Sequence, residues 1–345
     1  MTFTKSERLL KVLRGETVDR PPCVCPGGMM NLVTHDIMEE AGIFTPEAHI
    51  DPALMASLAC AASGAGCFEN YGLPFCMTVE AEVMGAEVDL GTDVFEPRVT
   101  KYAIESVADW EKLKPLTRSG RVGVVLEAMR MIRAKDEWRE IPLIGNVTGP
   151  ISTCTSLIEP MIFYKEINKK KADAHRMVNF VTDQLLWFAI EQLRSGADVI
   201  AISDPSGTGE ILGPASFSEY AVPALNKIAH GVKSVFPDAG VIVHICGKMH
   251  SVFGPLSNVT CDAVSFDAVV NIREAKENLP GKAVMGNVST YALEFESPEK
   301  IASLAKFCLN QGVDILSPAC GMGNASPIAN VRAMLRTVER IGSKS

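Results

Sequence analysis

The sequence predicts an α/β fold, specifically a (β/α)₈ TIM barrel with an N-terminal helical extension. Short apolar runs that favour strands alternate with longer helical patterns, which is typical of a parallel sheet with crossover helices. Eight such runs can be placed, and eight parallel strands are the number that closes a barrel. A chain of 345 residues is an ordinary length for one barrel domain. We therefore expect a single domain over residues 1–345.

The extension comes first in the chain. Thr4 and Glu7 have the spacing of a capping box, which favours a helix that begins there and runs through Arg14. Gly15 follows as its terminator. This segment precedes the first strand-like run, so we expect it to lie outside the barrel.

The eight strand-like runs are short, apolar and bounded by turn residues. They are Pro21–Pro26, Gly66–Asn70, Pro142–Asn146, Asp198–Asp204, Val241–Cys246, Ala263–Asp267, Ala283–Val288 and Asp314–Cys320.

The connections between the runs differ in length. The clearest helix lies between the third and fourth runs, where apolar residues from Met177 to Ala189 recur every three or four positions and Gly196 provides the stop. Between the second and third runs, residues 71–140 are too long for a simple βα connection. We interpret them as an insertion of about that extent, with a helical stretch at Val122–Lys135.

The most informative motif is His244-Ile245-Cys246 at the end of the fifth run. Residues two apart on a strand point to the same face, so the imidazole and the thiol lie side by side. Cys320, at the end of the eighth run, can add a second thiol. Three protein ligands with one open position are typical of catalytic zinc. Taken singly, each cysteine is better explained as a buried core residue.

Polar residues end most of the other runs, where barrel active sites form. Asn70, Asn146, Asp204, Asp267 and Asn287 occupy these positions. Asp204 could orient the His244 imidazole as a neighbouring carboxylate. Asn146 and Asn287 could bind the polar tail of a substrate. The alternative for each is a turn or a helix cap.

Composition excludes several classes of protein. The chain has 47% hydrophobic residues, a net charge of -8 without basic clusters, and no apolar run long enough to span a membrane. We therefore expect neither nucleic acid nor membrane as a partner. Ten cysteines in a chain without an apolar signal region indicate reduced thiols and a cytoplasmic location.

Over nearly its full length the chain resembles the methylcobamide:coenzyme M methyltransferases of the uroporphyrinogen decarboxylase-like superfamily. The resemblance is carried by Glu7–Glu16, Leu73–Val79, Val125–Ala128, Gly196–Pro205, Val243–Lys248, Gly286–Ser289 and Ile315–Gly321, of which Val243–Lys248 is the most specific. It implies that His244, Cys246 and Cys320 bind Zn²⁺. Related zinc methyltransferases add an acidic ligand at the next strand end, where this chain has Asp267; direct ligation and a capping role are equally open.

The resemblance implies methyl transfer from a methylcobamide to a thiol such as coenzyme M. The corrinoid would arrive on a carrier protein, because the chain has no cobalamin-binding motif of its own. The apolar segment Pro26–Met30 leaves room for that donor and lacks the arginines that a polycarboxylate substrate needs. Transfer to tetrahydrofolate, demethylation that loads the corrinoid, decarboxylation of the uroporphyrinogen type and a non-catalytic corrinoid-protein binding module are the alternatives.

Overall fold

The computed structural model describes residues 3–136 and 138–342. A sheet of seven parallel strands curls into a half-barrel, and a separate pair of antiparallel strands forms a hairpin. In chain order the strands are β1 (Tyr71–Leu73), β2 (Glu87–Asp89), β3 (Arg98–Lys101), β4 (Leu143–Thr148), β5 (Val199–Ser203), β6 (Gly240–Ile245), β7 (Ala263–Phe266), β8 (Ala283–Val288) and β9 (Ile315–Pro318). The sheet order is β1-β4-β5-β6-β7-β8-β9, and β2 pairs with β3.

Helices connect the strands and cover the outside of the sheet. They are α1 (Lys5–Leu13), α2 (His35–Ala41), α3 (Pro52–Gly64), α4 (Val79–Met84), α5 (Gly120–Lys135), α6 (Pro150–Leu157), α7 (Pro160–Lys169), α8 (Lys171–Arg194), α9 (Gly209–Ser216), α10 (Val222–Val235), α11 (Phe253–Ser257), α12 (Ile272–Asn278), α13 (Thr290–Phe295), α14 (Pro298–Asn310) and α15 (Ile328–Gly342). Short 3₁₀ turns lie at Glu47–His49, Val107–Lys112, Pro205–Gly207 and His250–Val252, and a π-helical turn at Phe217–Ala221.

The parallel α/β architecture predicted from the alternation is confirmed. The last six predicted runs coincide with β4 to β9 to within two residues at each end. Strands β4, β5, β6, β7 and β9 are buried at every position. Such strands are covered on both faces, which is why they read as continuous apolar runs rather than as alternating ones.

The first two predicted runs differ from the structure. Pro21–Pro26 forms no strand, although Cys23 makes an isolated parallel bridge to Leu316 of β9. Gly66–Asn70 is a turn and bend, and the strand begins just after it, at Tyr71. The Cys23 carbonyl accepts a hydrogen bond from the Glu69 amide at 2.9 Å. The seven-stranded sheet is therefore not closed by a continuous eighth strand.

The chain between β1 and β4 contains α4, the β2–β3 hairpin and α5. Helix α5 begins at Gly120 and includes the predicted Val122–Lys135 stretch. The hairpin pairs with no strand of the main sheet among the described residues. Its connection is held by Asn324, four residues after Cys320, whose Nδ2 donates to the carbonyls of Asp93 and Val94.

The N-terminal extension forms as predicted and is fixed to the amino end of the sheet. Thr4 caps α1 with both hydrogen bonds of a capping box. Arg8 of α1 forms an ion pair with the buried Glu69 at 3.1 Å, and Arg20 forms a second at 2.7 Å. Glu69 also accepts the Cys23 amide at 2.9 Å. This network lies at the end of the sheet opposite to the predicted site.

Within the described ranges, no helix combines the length and the apolar character that crossing a bilayer requires.

Candidate metal centre

Three side chains converge at the carboxyl ends of β6 and β9. The His244 Nε2 atom lies 3.1 Å from Cys246 Sγ, and Cys246 Sγ lies 3.2 Å from Cys320 Sγ. All three potential ligand atoms lie within 4.8 Å of one another. No other group of this kind occurs among the histidines, cysteines and acidic residues that the structure describes. His244 is buried, whereas both cysteines are partly exposed. A small molecule can therefore approach the sulfur atoms from the mouth.

The donor set fits zinc. Two thiolates and one imidazole are ligands that Zn²⁺ binds in tetrahedral sites. With ordinary Zn–S and Zn–N bonds, the ligand atoms of a tetrahedral site stand about 3.5 to 3.8 Å apart. The distances of 3.1 and 3.2 Å are a few tenths of an ångström shorter. Small side-chain rotations would bring the atoms to the required spacing, and a fourth position would remain for a substrate.

The two thiols are electrostatically linked. Hydrogen bonding with Cys246 lowers the pKa of Cys320 to about 5 against the effect of burial, and the His244 imidazole contributes in the same direction. The same hydrogen bond with Cys320, together with burial, raises the pKa of Cys246. The pair therefore releases one proton readily and holds the second between the two sulfur atoms. A cation that replaces the second proton would find one thiolate already formed.

Ser265 orients the imidazole. Its Oγ atom lies 2.9 Å from His244 Nδ1 and donates to the Met30 sulfur at 3.6 Å. When Nε2 binds a metal ion, Nδ1 carries the imidazole hydrogen and donates it to Ser265, whose hydroxyl is then free to donate to Met30. The lone pair of Nε2 then faces the two cysteines. Outer hydrogen bonds of this kind fix the tautomer of metal-binding histidines.

Asp204 does not lie next to His244 Nδ1, where Ser265 lies. In the parallel register Ser203 and Ser265 are the partners of His244 on the two neighbouring strands. Asp204 is one residue beyond, so its side chain points to the other face. Its carboxylate accepts the Ser152 amide at 2.8 Å, the Ser152 hydroxyl at 2.7 Å and the Ile151 amide at 3.2 Å. It therefore caps the first turn of α6, while burial raises its pKa against these hydrogen bonds.

Asp267 lies beside the cluster without joining it. One carboxylate oxygen accepts the Gly247 amide at 3.4 Å and the other accepts the Val269 amide at 3.2 Å. These bonds are those of a turn-forming aspartate, the alternative that the sequence left open. The carboxylate lies outside the group of His244, Cys246 and Cys320.

The predicted asparagines mainly hold neighbouring segments together through hydrogen bonds. Asn146 donates to the Pro26 carbonyl at 2.7 Å and to the Leu73 carbonyl at 3.0 Å. Asn287 donates to the carbonyls of Asp267 and Val270 at 2.9 and 2.8 Å. Both NH₂ groups are thus used inside the protein. The Asn146 Oδ1 atom has no hydrogen-bond partner among the described residues.

Asn70 has a similar role at the start of the sheet. Its Oδ1 accepts the Cys25 amide at 2.9 Å, and its Nδ2 donates to the Cys25 carbonyl at 2.7 Å. The pair of bonds fixes the end of the first predicted run against β1.

The glycines of the Pro26–Met30 segment are structural as well. Gly27 and Gly28 are buried and have φ values of 97° and 61°, a region that favours glycine. A Cβ atom added at Gly28 would lie 2.8 Å from the Asn146 Cβ. These two positions are therefore closed by protein and do not form the open docking mouth expected from their small size.

Two polar residues near the cluster were not predicted. Ser265 stands directly opposite His244 if the ends of the fifth and sixth predicted runs are aligned, so the register could have revealed it. Glu96 comes from the β2–β3 connection, and Cys320 is among the causes that raise its pKa. The periodicity of the sequence did not indicate that Glu96 would lie near the cluster.

Comparison with known proteins agrees with the resemblance read from the sequence. The uroporphyrinogen decarboxylase (URO-D) family profile matches residues 4–341. The chain is 33% identical over 335 residues to the methylcobamide:CoM methyltransferase MtbA of Methanosarcina acetivorans, covering 96% of this chain and 97% of that protein. It is 32% identical over 337 residues to the methylcobamide:CoM methyltransferase MtaA of Methanosarcina barkeri, with the same coverage. The solved structure of a methyltransferase from Methanosarcina mazei superposes with a TM-score of 0.91 at 30% identity, covering 98% of this chain and 99% of that one.

Proposed function

The chain belongs to the uroporphyrinogen decarboxylase (URO-D) family, and from that membership we propose that it is a zinc-dependent methyltransferase, which moves a methyl group from a methylated corrinoid to a thiol. The observation that carries the proposal is the convergence of His244, Cys246 and Cys320 at the barrel mouth. Relatives that cover almost the whole chain are named for transfer between a methylcobamide and coenzyme M. The donor set is the kind that activates thiols.

In this proposal the protein holds the acceptor thiol and prepares its sulfur. Bound zinc supplies the positive charge that favours the thiolate at neutral pH, and its two cysteine ligands keep the site close to neutral. Ser265 keeps the His244 imidazole in the tautomer whose Nε2 faces the site. The partly exposed sulfur atoms of Cys246 and Cys320 leave the mouth side open to the acceptor.

The transfer itself is a displacement at carbon. The acceptor thiol first loses its proton to solvent. Its sulfur then attacks the methyl carbon of methyl-Co(III) corrinoid in line, forming a C–S bond as the Co–C bond breaks. The electron pair of the broken bond stays on cobalt, which leaves as Co(I), and the product is a methyl thioether.

The corrinoid is proposed to come from a separate carrier protein, as implied by the missing cobalamin motif in this chain. All ten cysteines are free thiols in the structure, which supports a reducing, cytoplasmic setting. We propose that residues 22–24, through their hydrogen bonds to Leu316 and Glu69, complete the (β/α)₈ barrel as a single domain in place of a continuous eighth strand.

Two measurements test the proposal. Zinc content should be about one per chain, and it should fall sharply in Cys246→Ala and in Cys320→Ala. The variant Cys261→Ala, which alters a thiol away from the cluster, is the control. Undiminished zinc in both cluster variants would refute the ligand assignment.

The second measurement is the reaction itself. With methylcobalamin or a methylated corrinoid protein as donor and a small thiol as acceptor, the zinc-loaded enzyme should form Co(I), seen in the corrinoid absorption spectrum. If it instead methylates the corrinoid from a methoxyl or methylamine donor and transfers to no thiol, the direction is reversed. In that case the protein loads the corrinoid.

A further inference from the structure

Six exposed apolar side chains lie near the thiol cluster, on four separate segments of the chain. Each of them is between 54% and 71% exposed. They are Val94 and Phe95 in the β2–β3 connection, Ile211 in α9, Val269 after β7, and Tyr291 and Phe295 in α13. We call these six residues the apolar rim.

A carboxylate bridge places Val269 beside Cys246. One oxygen of Asp267 accepts the Gly247 amide at 3.4 Å, and the other accepts the Val269 amide at 3.2 Å. Gly247 directly follows Cys246 in the chain. Asn287 fixes the same loop by donating to the Asp267 carbonyl at 2.9 Å. The backbone of Val269 is therefore separated from the neighbour of a cluster cysteine by a single carboxylate.

Ile211 lies on another side of Cys246. The preceding residue, Glu210, accepts the Lys248 amide at 3.2 Å, two residues after Cys246. A Cβ atom added at Gly247 would lie 3.0 Å from the same Glu210 oxygen. The start of α9 is thus in contact with the loop that follows β6, and Ile211 is exposed next to this contact.

Tyr291 and Phe295 form an aromatic pair near Cys320. The Ala319 amide, next to Cys320, donates to the Val288 carbonyl at 2.8 Å, two residues before α13 begins. The two aromatic residues are one helical turn apart, and their ring centroids are 4.7 Å apart. Each ring therefore holds the other in place while both remain exposed to solvent.

The β2–β3 connection supplies the remaining side of the rim. Asn324, four residues after Cys320, donates to the Val94 carbonyl at 3.0 Å. Phe95 follows Val94 and borders a small cavity together with Asn31 and Asn324. The loop after Cys320 thus holds this part of the hairpin connection.

The distribution of exposed apolar side chains differs from that of an ordinary monomer surface. Single exposed apolar residues are common and need no explanation. Among the described residues, however, four of the six most exposed large apolar side chains belong to the rim. Groups of exposed apolar residues mark interaction surfaces, and tyrosine and phenylalanine are enriched in the buried centres of protein interfaces.

The proposed reaction identifies the partner that covers the rim. Attack in line brings the methyl carbon of the corrinoid to a sulfur bound at the cluster, so the carrier of the corrinoid must lie over the mouth. A standard interface buries about 800 Å² on each partner, which corresponds to a disc of roughly 16 Å radius. Such a disc, centred on the cluster, extends over the segments that carry the rim. A free corrinoid has amide groups around its edge, whereas a protein surface can bury apolar side chains.

We propose that the apolar rim is the docking surface for the protein that carries the methylated corrinoid, and that Tyr291 and Phe295 are its main anchor. The rim packs against the carrier while the corrinoid enters the mouth between the rim residues. This inference rests on the proposed function, because the corrinoid is taken as the methyl donor.

The test measures docking apart from methyl transfer. The probes are the proteins of the producing organism that contain an Asp-x-His-x-x-Gly cobalamin-binding motif, each loaded with methylcobalamin. Calorimetry without any acceptor thiol gives a Kd for each carrier. The wild type should bind at least one carrier and should use it, once thiol is added, with a higher kcat/KM than free methylcobalamin.

Two rim variants should weaken this binding. Tyr291→Ala should raise the Kd of the carrier about tenfold or more, as is typical when a central aromatic residue is removed from an interface. Val269→Glu should also raise the Kd, because docking would bury the new charge without a partner.

Trp138→Ala and Val235→Glu are the matched controls. Trp138 is 88% exposed and lies between α5 and the start of β4. Val235 is 46% exposed and ends α10, shortly before β6 begins. Both residues therefore lie at the amino end of the sheet, opposite to the mouth. Neither control should change the Kd of the carrier, and the zinc content should be the same in all four variants.

The ratio of the two kcat/KM values, with the carrier and with free methylcobalamin, separates docking from contact with the corrinoid itself. The ratio should fall in Tyr291→Ala and in Val269→Glu. Equal losses with both donors would assign the rim to the corrinoid and overturn the proposal. An unchanged Kd in the rim variants, or a wild type that binds no carrier, would overturn it as well. If the wild type binds a carrier through the rim but methylates no thiol from either donor, the docking surface stands and the proposed function fails.

Discussion

Removing the Ser265 hydroxyl should loosen the metal site without removing a ligand. In Ser265→Ala the His244 Nδ1–H group loses its acceptor at 2.9 Å. Ser265 is 0% exposed and His244 is 1% exposed, so bulk water cannot readily replace the hydroxyl. The imidazole would be free to rotate or to change tautomer, and Nε2 would no longer be fixed towards the cysteines.

The size of the effect follows from the burial of this hydrogen bond. A buried donor left without an acceptor costs about 1–3 kcal/mol. Loss of an outer hydrogen bond to a metal-binding histidine typically weakens metal binding about 10- to 100-fold. We therefore expect Ser265→Ala to lower the free energy of unfolding by about 1–3 kcal/mol and to weaken zinc binding about tenfold or more.

Ser203→Ala is the matched control. Ser203 is the partner of His244 on the opposite neighbouring strand, it is 1% exposed, and its hydroxyl has no partner among the described residues. Its removal changes volume equally but breaks no hydrogen bond. Competition against a chelator gives the zinc affinity, and ¹⁵N-histidine NMR reports the tautomer. If Ser265→Ala keeps the wild-type affinity and the Nδ1–H tautomer, the orienting role of Ser265 is refuted.

Three further outcomes are expected. Binding of an acceptor thiol to the zinc-loaded enzyme should release close to one proton per zinc, as measured by calorimetry in buffers of different ionisation enthalpy; no release would indicate a non-thiol acceptor. Because burial raises the pKa of Asp204 in the folded protein, the folded protein binds this proton more tightly than the unfolded chain does. Wild-type stability should therefore fall as pH rises from the ordinary aspartate pKa of about 3.9 through the raised pKa of the folded state. Asp204→Asn should remove that slope in denaturant titrations, and an unchanged slope would assign it to another group. Gly28→Ala should cost more stability than Gly42→Ala, by about 1–3 kcal/mol, since both have φ near 60° but only Gly28 lacks space; equal losses would mean that only backbone strain matters.

The ligand set could be predicted because it depends on local geometry. Alternation along one strand places His244 and Cys246 on the same side, and the carboxyl ends of parallel strands meet at one rim, which brings in Cys320. The strands that carry them are buried on both faces, so their apolar runs are unambiguous. These inferences need only the chain direction and the type of secondary structure.

Positions that depend on register or on distant segments were not predictable in the same way. The sequence suggested Asp204 as the neighbour of His244, whereas the residue paired with His244 is Ser203, one position earlier. A shift of one residue moves a side chain to the opposite face of the strand. Glu96 belongs to a hairpin connection whose position depends on hydrogen bonds from Asn324, far along the chain. The bridge of Cys23 to Leu316 likewise depends on tertiary contacts, since the run Pro21–Pro26 has too few paired residues to form a strand by itself.

That bridge has a consequence for how the protein folds. Cys23 is synthesised long before its partner Leu316, which belongs to the last strand of the sheet. Contacts between such distant parts of a chain form slowly, because a long loop must close first. Until β9 is made, β8 presents an unpaired edge, the kind of surface that recruits other chains. Truncation before β9 would therefore be expected to spare the hydrogen bonds of β1 to β8 and yet leave a chain that aggregates, because the segment around Cys23 finds its partner only when β9 is present.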